Sequence, residues 1–335
     1  MNKKNFILKS SILSFALLFS LNVSNITVNA MTDSTEKVMV DTDNVSEIVK
    51  LENVDISIFE DGRIKPINNP ESLTREERTT ALKLMEFSDD EIASFPEVLI
   101  NDLLAEGGVK VELTKEDEVH IYTDLQGNDH IVTPETINQV NEIKKLDYLI
   151  IANKYNLNSG VSPFAMGQQK DGNFTGKGVL TYIGTSSTGK EYEYNYRTAW
   201  EWSLMPTLTW TDSIATSWQS HTTSVSTTSD YTRWANGGFS HDNKVSVDRS
   251  SVAGTTAKID IQNAPGRHYG YIQDKVRIPI GNKGNTGQFA SAYGHSHVPA
   301  LPVGINIGGW GSISFSGGAG DKWSWKNSYT IGSTK

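Results

Sequence analysis

Cysteine is absent from the 335 residues. That removes disulfides, thiol nucleophiles, thiolate metal sites and a lipid-modified cysteine anchor. There is no G-x-S-x-G elbow and no H-E-x-x-H helix motif, so the best-marked routes to serine and zinc hydrolysis lack support. Gly311–Gly317 comes nearest to a serine elbow, but its alternation reads as a strand ending in Gly317-Gly318. After residue 30 no apolar run approaches the roughly 20 residues of a membrane span. Acids are scarce beyond Phe164, where only 11 occur, which leaves few pairs for glycoside hydrolysis. The same region has a net charge of +4 with no basic stripe, which argues against nucleic-acid binding.

What is present divides the chain into pieces of different character. Residues 1–30 read as a secretory signal, with Lys3, Lys4 and Lys9 before the apolar run Ile12–Val23 and an A-x-A-like site at Val28-Asn29-Ala30. A basic start on a cysteine-free exported chain fits a Gram-positive secreted protein. Met31–Phe164 carries a net charge of −16, whereas all eight tryptophans and 23 of the 28 glycines lie beyond it. Opposite charge predicts that the first region packs on, or masks, the second.

Residues 31–72 are acidic and poor in aromatics, and read as mostly disordered with a short strand near Val54–Phe59. Residues 73–155 read as a small α+β domain, a candidate prosegment. Thr74-Arg75-Glu76-Glu77 and Ser88-Asp89-Asp90-Glu91 are capping boxes, with Phe87 and Ile92 spaced as a staple for the second helix. Pro96 suits the first turn of a third helix, which Gly107 and Gly108 stop. Val109–Thr133 alternates as strands, and Thr133-Pro134 opens a helix whose stripe runs Ile137, Val140, Ile143 or Lys144, Tyr148 and Ile151. Residues 156–172 read as a linker, with the boundary near Phe164.

Residues 173–335 read as an all-β domain, a sandwich or jelly roll of eight to ten strands. Its signature is Lys190–Trp202, KEYEYNYRTAWEW. Tyr192, Tyr194, Tyr196, Trp200 and Trp202 share one strand face; Glu191, Glu193, Asn195, Arg197 and Glu201 share the other. That pattern predicts a strand covering a core with its polar side in water. Thr211–Thr232 holds thirteen Ser or Thr in 22 residues. It reads as polar edge strands and loop, or, by analogy with soluble pore-formers, as a membrane-inserting hairpin.

Two sets of side chains are candidates for function. Trp218, Trp234, Trp310 and Trp323 lie outside the main stripe and are candidates to stack on a sugar or enter a membrane interface. His295 and His297, two apart on a strand, could face one metal ion, with His221, His241, Asp242 or His268 completing it. No other cofactor is indicated.

The run MEFSDDEIASFPEVLINDLLAEGGVKVE at Met85–Glu112 resembles a segment of secreted Bacillus-type proteins of unknown function. Those proteins also carry a C-terminal β domain with a Y-x-W-E-W-like strand and a T-D-S-I-like stretch. Here these are Trp200-Glu201-Trp202 and Thr211-Asp212-Ser213-Ile214, with Tyr293-Gly294-His295 also similar. The resemblance covers roughly Leu73 to Lys335 and implies an exported two-part architecture without catalytic residues.

The expectation is therefore a secreted, non-enzymatic protein whose β domain binds the cell envelope or a glycan through exposed aromatics. The alternative is a membrane-active toxin or bacteriocin-like effector held inactive by its acidic N-terminal region. A metal-dependent secreted hydrolase using His295 and His297 ranks third. Intact-mass measurement of the protein from culture medium is expected to give a chain beginning at Met31; retention of residues 1–30 would overturn the signal assignment.

Overall fold

The computed structural model describes residues 44–156, 174–206, 208–235, 238–241 and 245–333. The expected signal segment, the first part of the acidic segment and all of the expected linker but Asn156 lie outside the described residues. Hairpin β1 (Val45–Lys50) and β2 (Asp55–Phe59) comes first, so the acidic segment from residue 44 is ordered. Its alternation is short, and the buried Ile56 and Phe59 anchor it to the core that follows.

Three helices then form where the caps dictate: α1 (Arg75–Leu84), α2 (Asp89–Ser94) and α3 (Glu97–Glu106). Both capping boxes close: Glu77 N–H donates to Thr74 Oγ1 (3.2 Å) and Thr74 N–H to Glu77 Oε2 (2.9 Å), with Ser88 and Glu91 repeating the exchange. Pro96 is the N-cap of α3 rather than a residue of its first turn. Gly107 ends α3 at φ 65°, and a Cβ there would lie 2.6 Å from the Ile64 carbonyl oxygen. No other residue fits that turn without strain.

The strands β3 (Val109–Lys110), β4 (Thr114–Thr123) and β5 (Asp129–Ile131) and helix α4 (Ile137–Tyr155) complete the N-terminal half. The second half contains β6 (Phe174–Thr185), β7 (Glu191–Trp202), β8 (Thr211–Trp218), β9 (Thr223–Ala235), β10 (Gly238–His241), β11 (Val245–Asp248) and β12 (Gly254–Asp260). It closes with β13 (Arg267–Pro279), β14 (Thr286–Ser296), β15 (Val303–Gly309), β16 (Ser312–Gly317) and β17 (Gly320–Thr330). The run Val303–Phe315, legible as one strand, folds back on itself as β15 and β16, with Trp310 at the tip.

Two antiparallel sheets stack face to face, in the orders β10-β9-β13-β7-β6-β3 and β11-β12-β8-β14-β17-β4-β5. The aromatic face of β7 lies between them. Tyr196 stacks on Phe289 of β14 at 4.8 Å, and Trp200 packs on Tyr293 at 5.4 Å. Hydroxyls fill the middle of the sandwich as matched partners: Thr198 Oγ1 bonds Thr216 (2.5 Å) and Ser291 (2.7 Å). The Ser/Thr-rich tract therefore divides: β8 is an interior strand between β12 and β14, whereas β9 pairs with β13 and meets β10 only at Thr232–Ala235, so Thr223–Tyr231 form an edge among the described residues.

Two expectations need correction. The polar face of β7 does not face water: helices cover it, and Arg197 is fully buried there. Glu106 at the end of α3 accepts from Arg197, from Asn195 Nδ2 (2.6 Å) and from Gln273 Nε2 (2.5 Å), and Asp102 accepts from Tyr271. Nor does residue 164 divide two cores. β3 extends the first sheet, β4 and β5 extend the second, and the core of α1 to α3 includes Val179, Ala199, Tyr269 and Tyr271. The described residues form one compact unit. The N-terminal half thus packs on the β layers, and as a third layer rather than a separate α+β domain. Among the described residues no helix is long and apolar enough to cross a membrane.

Glu106→Ala leaves the Arg197 guanidinium buried without its carboxylate. It is expected to cost about 3 kcal/mol, read as a lower urea midpoint at unchanged m-value; a shift within error would remove this pair from the forces holding the layer.

Candidate functional site

The β15–β16 tip is pinned to the end of β8 by its backbone. Gly311 N–H donates to the Trp218 carbonyl (2.8 Å), and the Ser217 hydroxyl donates to the carbonyls of Gly309 (3.1 Å) and Ala253 (2.9 Å). Gly311 sits at φ 64°, the left-handed geometry such a tip needs. The result holds the Trp310 ring 46% exposed beside a cleft of about 390 Å³. Trp310, Arg249, Val252, Thr222, Ser224 and Thr255 are among its lining residues.

Polar groups converge on this cleft. Arg249 donates to Ser224 Oγ (3.0 Å), and the buried Thr222 hydroxyl has no hydrogen-bond partner among the described residues. Val252 is 79% exposed at the rim, on a loop held by Ser251 Oγ accepting from Ala253 N–H (3.1 Å). Behind Thr255 lies Asp274, whose Oδ1 accepts from Thr255 (2.8 Å) and Thr227 (2.6 Å) while Oδ2 is unpartnered. Burial pushes its carboxyl up to about 6, against the pull of the two hydroxyls and Arg249.

The four candidate tryptophans divide. Trp310 and Trp218 share the cleft, but Trp218 is not an exposed ring: its indole is buried against Phe289 and donates to the Val252 carbonyl (3.2 Å). Its place in a sequence of hydroxyl residues hid the interior position of β8. Trp234 is 46% exposed at the far end of β9, paired in register with Arg267. Trp323 lies half-buried at the open end of the sandwich, stacked on Phe174 (4.1 Å) and His120 (4.6 Å).

His295 and His297 do come together, with ring centroids 5.2 Å apart, but turn to different carboxylates. His295 Nδ1 lies 2.9 Å from Asp212, and His297 Nε2 lies 3.2 Å from Asp321. Asp321 also takes the Lys144 ammonium and His120 Nε2, each at 2.7 Å. Burial alone would raise the Asp321 carboxyl, but Lys144 and the two imidazoles outweigh it and hold it well below the usual range. An ammonium already occupies the place a second cation would need. No group of three or more ligating side chains able to hold a metal occurs among the described residues. Of the expected helpers, His268 bonds the Tyr231 hydroxyl (2.8 Å), and Asp242 lies outside the described residues. The ion pair of Lys144 with Asp321 spans 177 positions, and only the ambiguous stripe position of Lys144 hinted at its burial.

No protein-family model matches the chain, and no curated protein matches it. Partial likeness connects it to solved structures. One is the collagen binding subdomain of the Enterococcus faecalis surface protein ACE, 8% identical, covering 45% of this chain and 95% of that one at a TM-score of 0.26. A DUF4466 family protein from Parabacteroides merdae is 14% identical, covering 43% and 42% at 0.25. The collagen binding domain of Erysipelothrix rhusiopathiae surface protein RspB is 9% identical, covering 46% and 59% at 0.23. Scores this low carry no argument about this chain.

Asp274 gives the cleft a pH signature. Its folded value of about 6 lies above the ordinary 3.8, so the native state binds the extra proton between these values. Its favourable contribution is complete below about pH 4 and lost as pH rises through 6, a swing of roughly 3 kcal/mol. Asp274→Asn, which keeps an acceptor for both threonines, is expected to gain stability relative to wild type between pH 4 and pH 7.5. Urea midpoints of the two proteins that stay parallel across that range would contradict it.

Proposed function

We propose that this chain is an extracellular, non-enzymatic binding protein that takes a glycan of the cell envelope in the cleft beside Trp310. The observation that carries the reading is the fixed, half-exposed indole set beside hydroxyls and a guanidinium. A sugar ring presents C–H groups on its faces and hydroxyls at its edge, which matches an apolar platform rimmed by polar groups. Arg249 keeps donors beyond its bond to Ser224, and its charge favours a saccharide bearing a carboxylate or phosphate. The reading of residues 1–30 as a secretory signal supports the same compartment.

The membrane-active alternative rests on the Ser/Thr tract. Its first part, β8, is a central strand of the second sheet, so insertion of that part would dismantle the aromatic core. No observation favours it over glycan binding.

Binding of the secreted protein to purified cell walls and to a panel of neutral and acidic glycans tests the proposal. Trp310→Ala is expected to weaken the best ligand about tenfold, near 1.4 kcal/mol, and Arg249→Ala to act on acidic glycans only. Trp234→Ala is the control and should bind as wild type. Unchanged binding in Trp310→Ala, at an unchanged melting temperature, would overturn the assignment.

A further inference from the structure

The first sheet has an open edge. On its outer side β6 has only β3, which pairs Val109 with Tyr182 and Lys110 with Thr181. Residues Phe174–Val179 of β6 pair with β7 on one side and with no strand on the other among the described residues. The direction of the free groups follows from one bond. Val111 N–H donates to the Leu180 carbonyl (2.9 Å), so Leu180 points away from β7. In an antiparallel strand alternate residues repeat that direction. Gly178 and Gly176 therefore turn both N–H and C=O outward.

Beside this edge runs a groove of about 470 Å³, walled by Phe87, Phe95, Val111 and Leu113. Two side chains in it lack partners. Asn327 of β17 is buried and its Nδ2 donates to nothing among the described residues. Lys177 makes no ion pair among the described residues, whereas Lys110 bridges Glu91 and Glu112 (2.9 and 2.8 Å) and Lys115 pairs with Glu118 (2.8 Å). Burial pulls the Lys177 ammonium below its ordinary range, despite Glu201 nearby. The groove so combines an apolar wall, a vacant strand ladder, a spare amide donor and a half-buried cation.

We infer that the β6 edge is a docking site for an extended polypeptide segment that adds a strand at Gly176–Gly178 and sets an Asp or Glu carboxylate on Lys177. Main-chain bonds to the two glycines supply register. The carboxylate supplies selectivity, since it replaces water lost by the ammonium. Asn327 donates to a carbonyl of the added strand. Gly176 and Gly178 are glycines because Trp325 and Asn327 of the facing sheet fill the space a Cβ would take (2.4 and 2.5 Å), which leaves their outward N–H and C=O as the groups an added strand would meet.

The test uses the full secreted chain and two blocked eight-residue peptides of alternating Val and Thr, one with a central Asp and the other with Asn in its place. With the Asp peptide, amide hydrogen exchange at Gly176 and Gly178 is expected to slow at least tenfold, with no change at Lys177, whose N–H already faces β7. Lys177→Met should weaken the Asp peptide about tenfold and leave the Asn peptide unaffected. Exchange at the two glycines that ignores both peptides would overturn the inference. So would equal affinity of the two peptides for the wild-type protein, or protection confined to other strands.

Discussion

Arg197 constrains the architecture more than any other side chain. It stands in the middle of β7, fully buried, on the face that a simple sandwich would give to water. A guanidinium there is tolerable only with an anion beside it, and the end of α3 supplies one in Glu106. Thr181 Oγ1 takes a further donor at 3.2 Å, and Asn195 and Gln273 share the carboxylate. The helices are thus held by a polar anchor at the centre and an apolar border around it. The net −16 of the N-terminal region is partly an answer to this demand.

The same principle of matched polarity shapes the rest. Between the sheets, Thr198, Thr216 and Ser291 close on one another where aromatic rings leave off. At the open end, Asp212 gathers Tyr293 and His295, and Asp321 gathers Lys144, His120 and His297. The match is incomplete in places: His297 Nδ1 at the open end, the Thr222 hydroxyl and Asn327 Nδ2 are all buried without a hydrogen-bond partner among the described residues. Thr222 and Asn327 differ from His297 in lining the Trp310 cleft and the β6 groove.

Local chemistry was legible in the sequence wherever it depends on neighbours a few positions apart. The capping boxes at Thr74 and Ser88, the stop at Gly107, the period-two aromatics of β7 and most strand limits come directly from spacing. What was illegible depends on pairings across long separations. Glu193, Asn195 and Arg197 read as a wet face because nothing local shows that α3 will cover them. β4 reads as part of a separate domain because its partner β17 lies some 200 residues away. Trp218 reads as an exposed candidate because it stands in a polar run, but the interior strand β8 buries hydroxyls and the indole with them. Trp310 was legible only as a tryptophan among glycines; the hairpin that fixes it depends on Ser217 and the Trp218 carbonyl.

The distribution of strands has a consequence for any proteolytic event between residues 156 and 174. The N-terminal fragment would still supply β3 to one sheet and β4 to the other, with the Arg197 anchor intact. Such a nick would create a two-chain complex held as a split protein is held, not a freed C-terminal domain. Separating the halves would bare the flank of β17 along with the rest of β6, two sticky margins on one particle. In this molecule the N-terminal half serves as the permanent selvedge of the fabric.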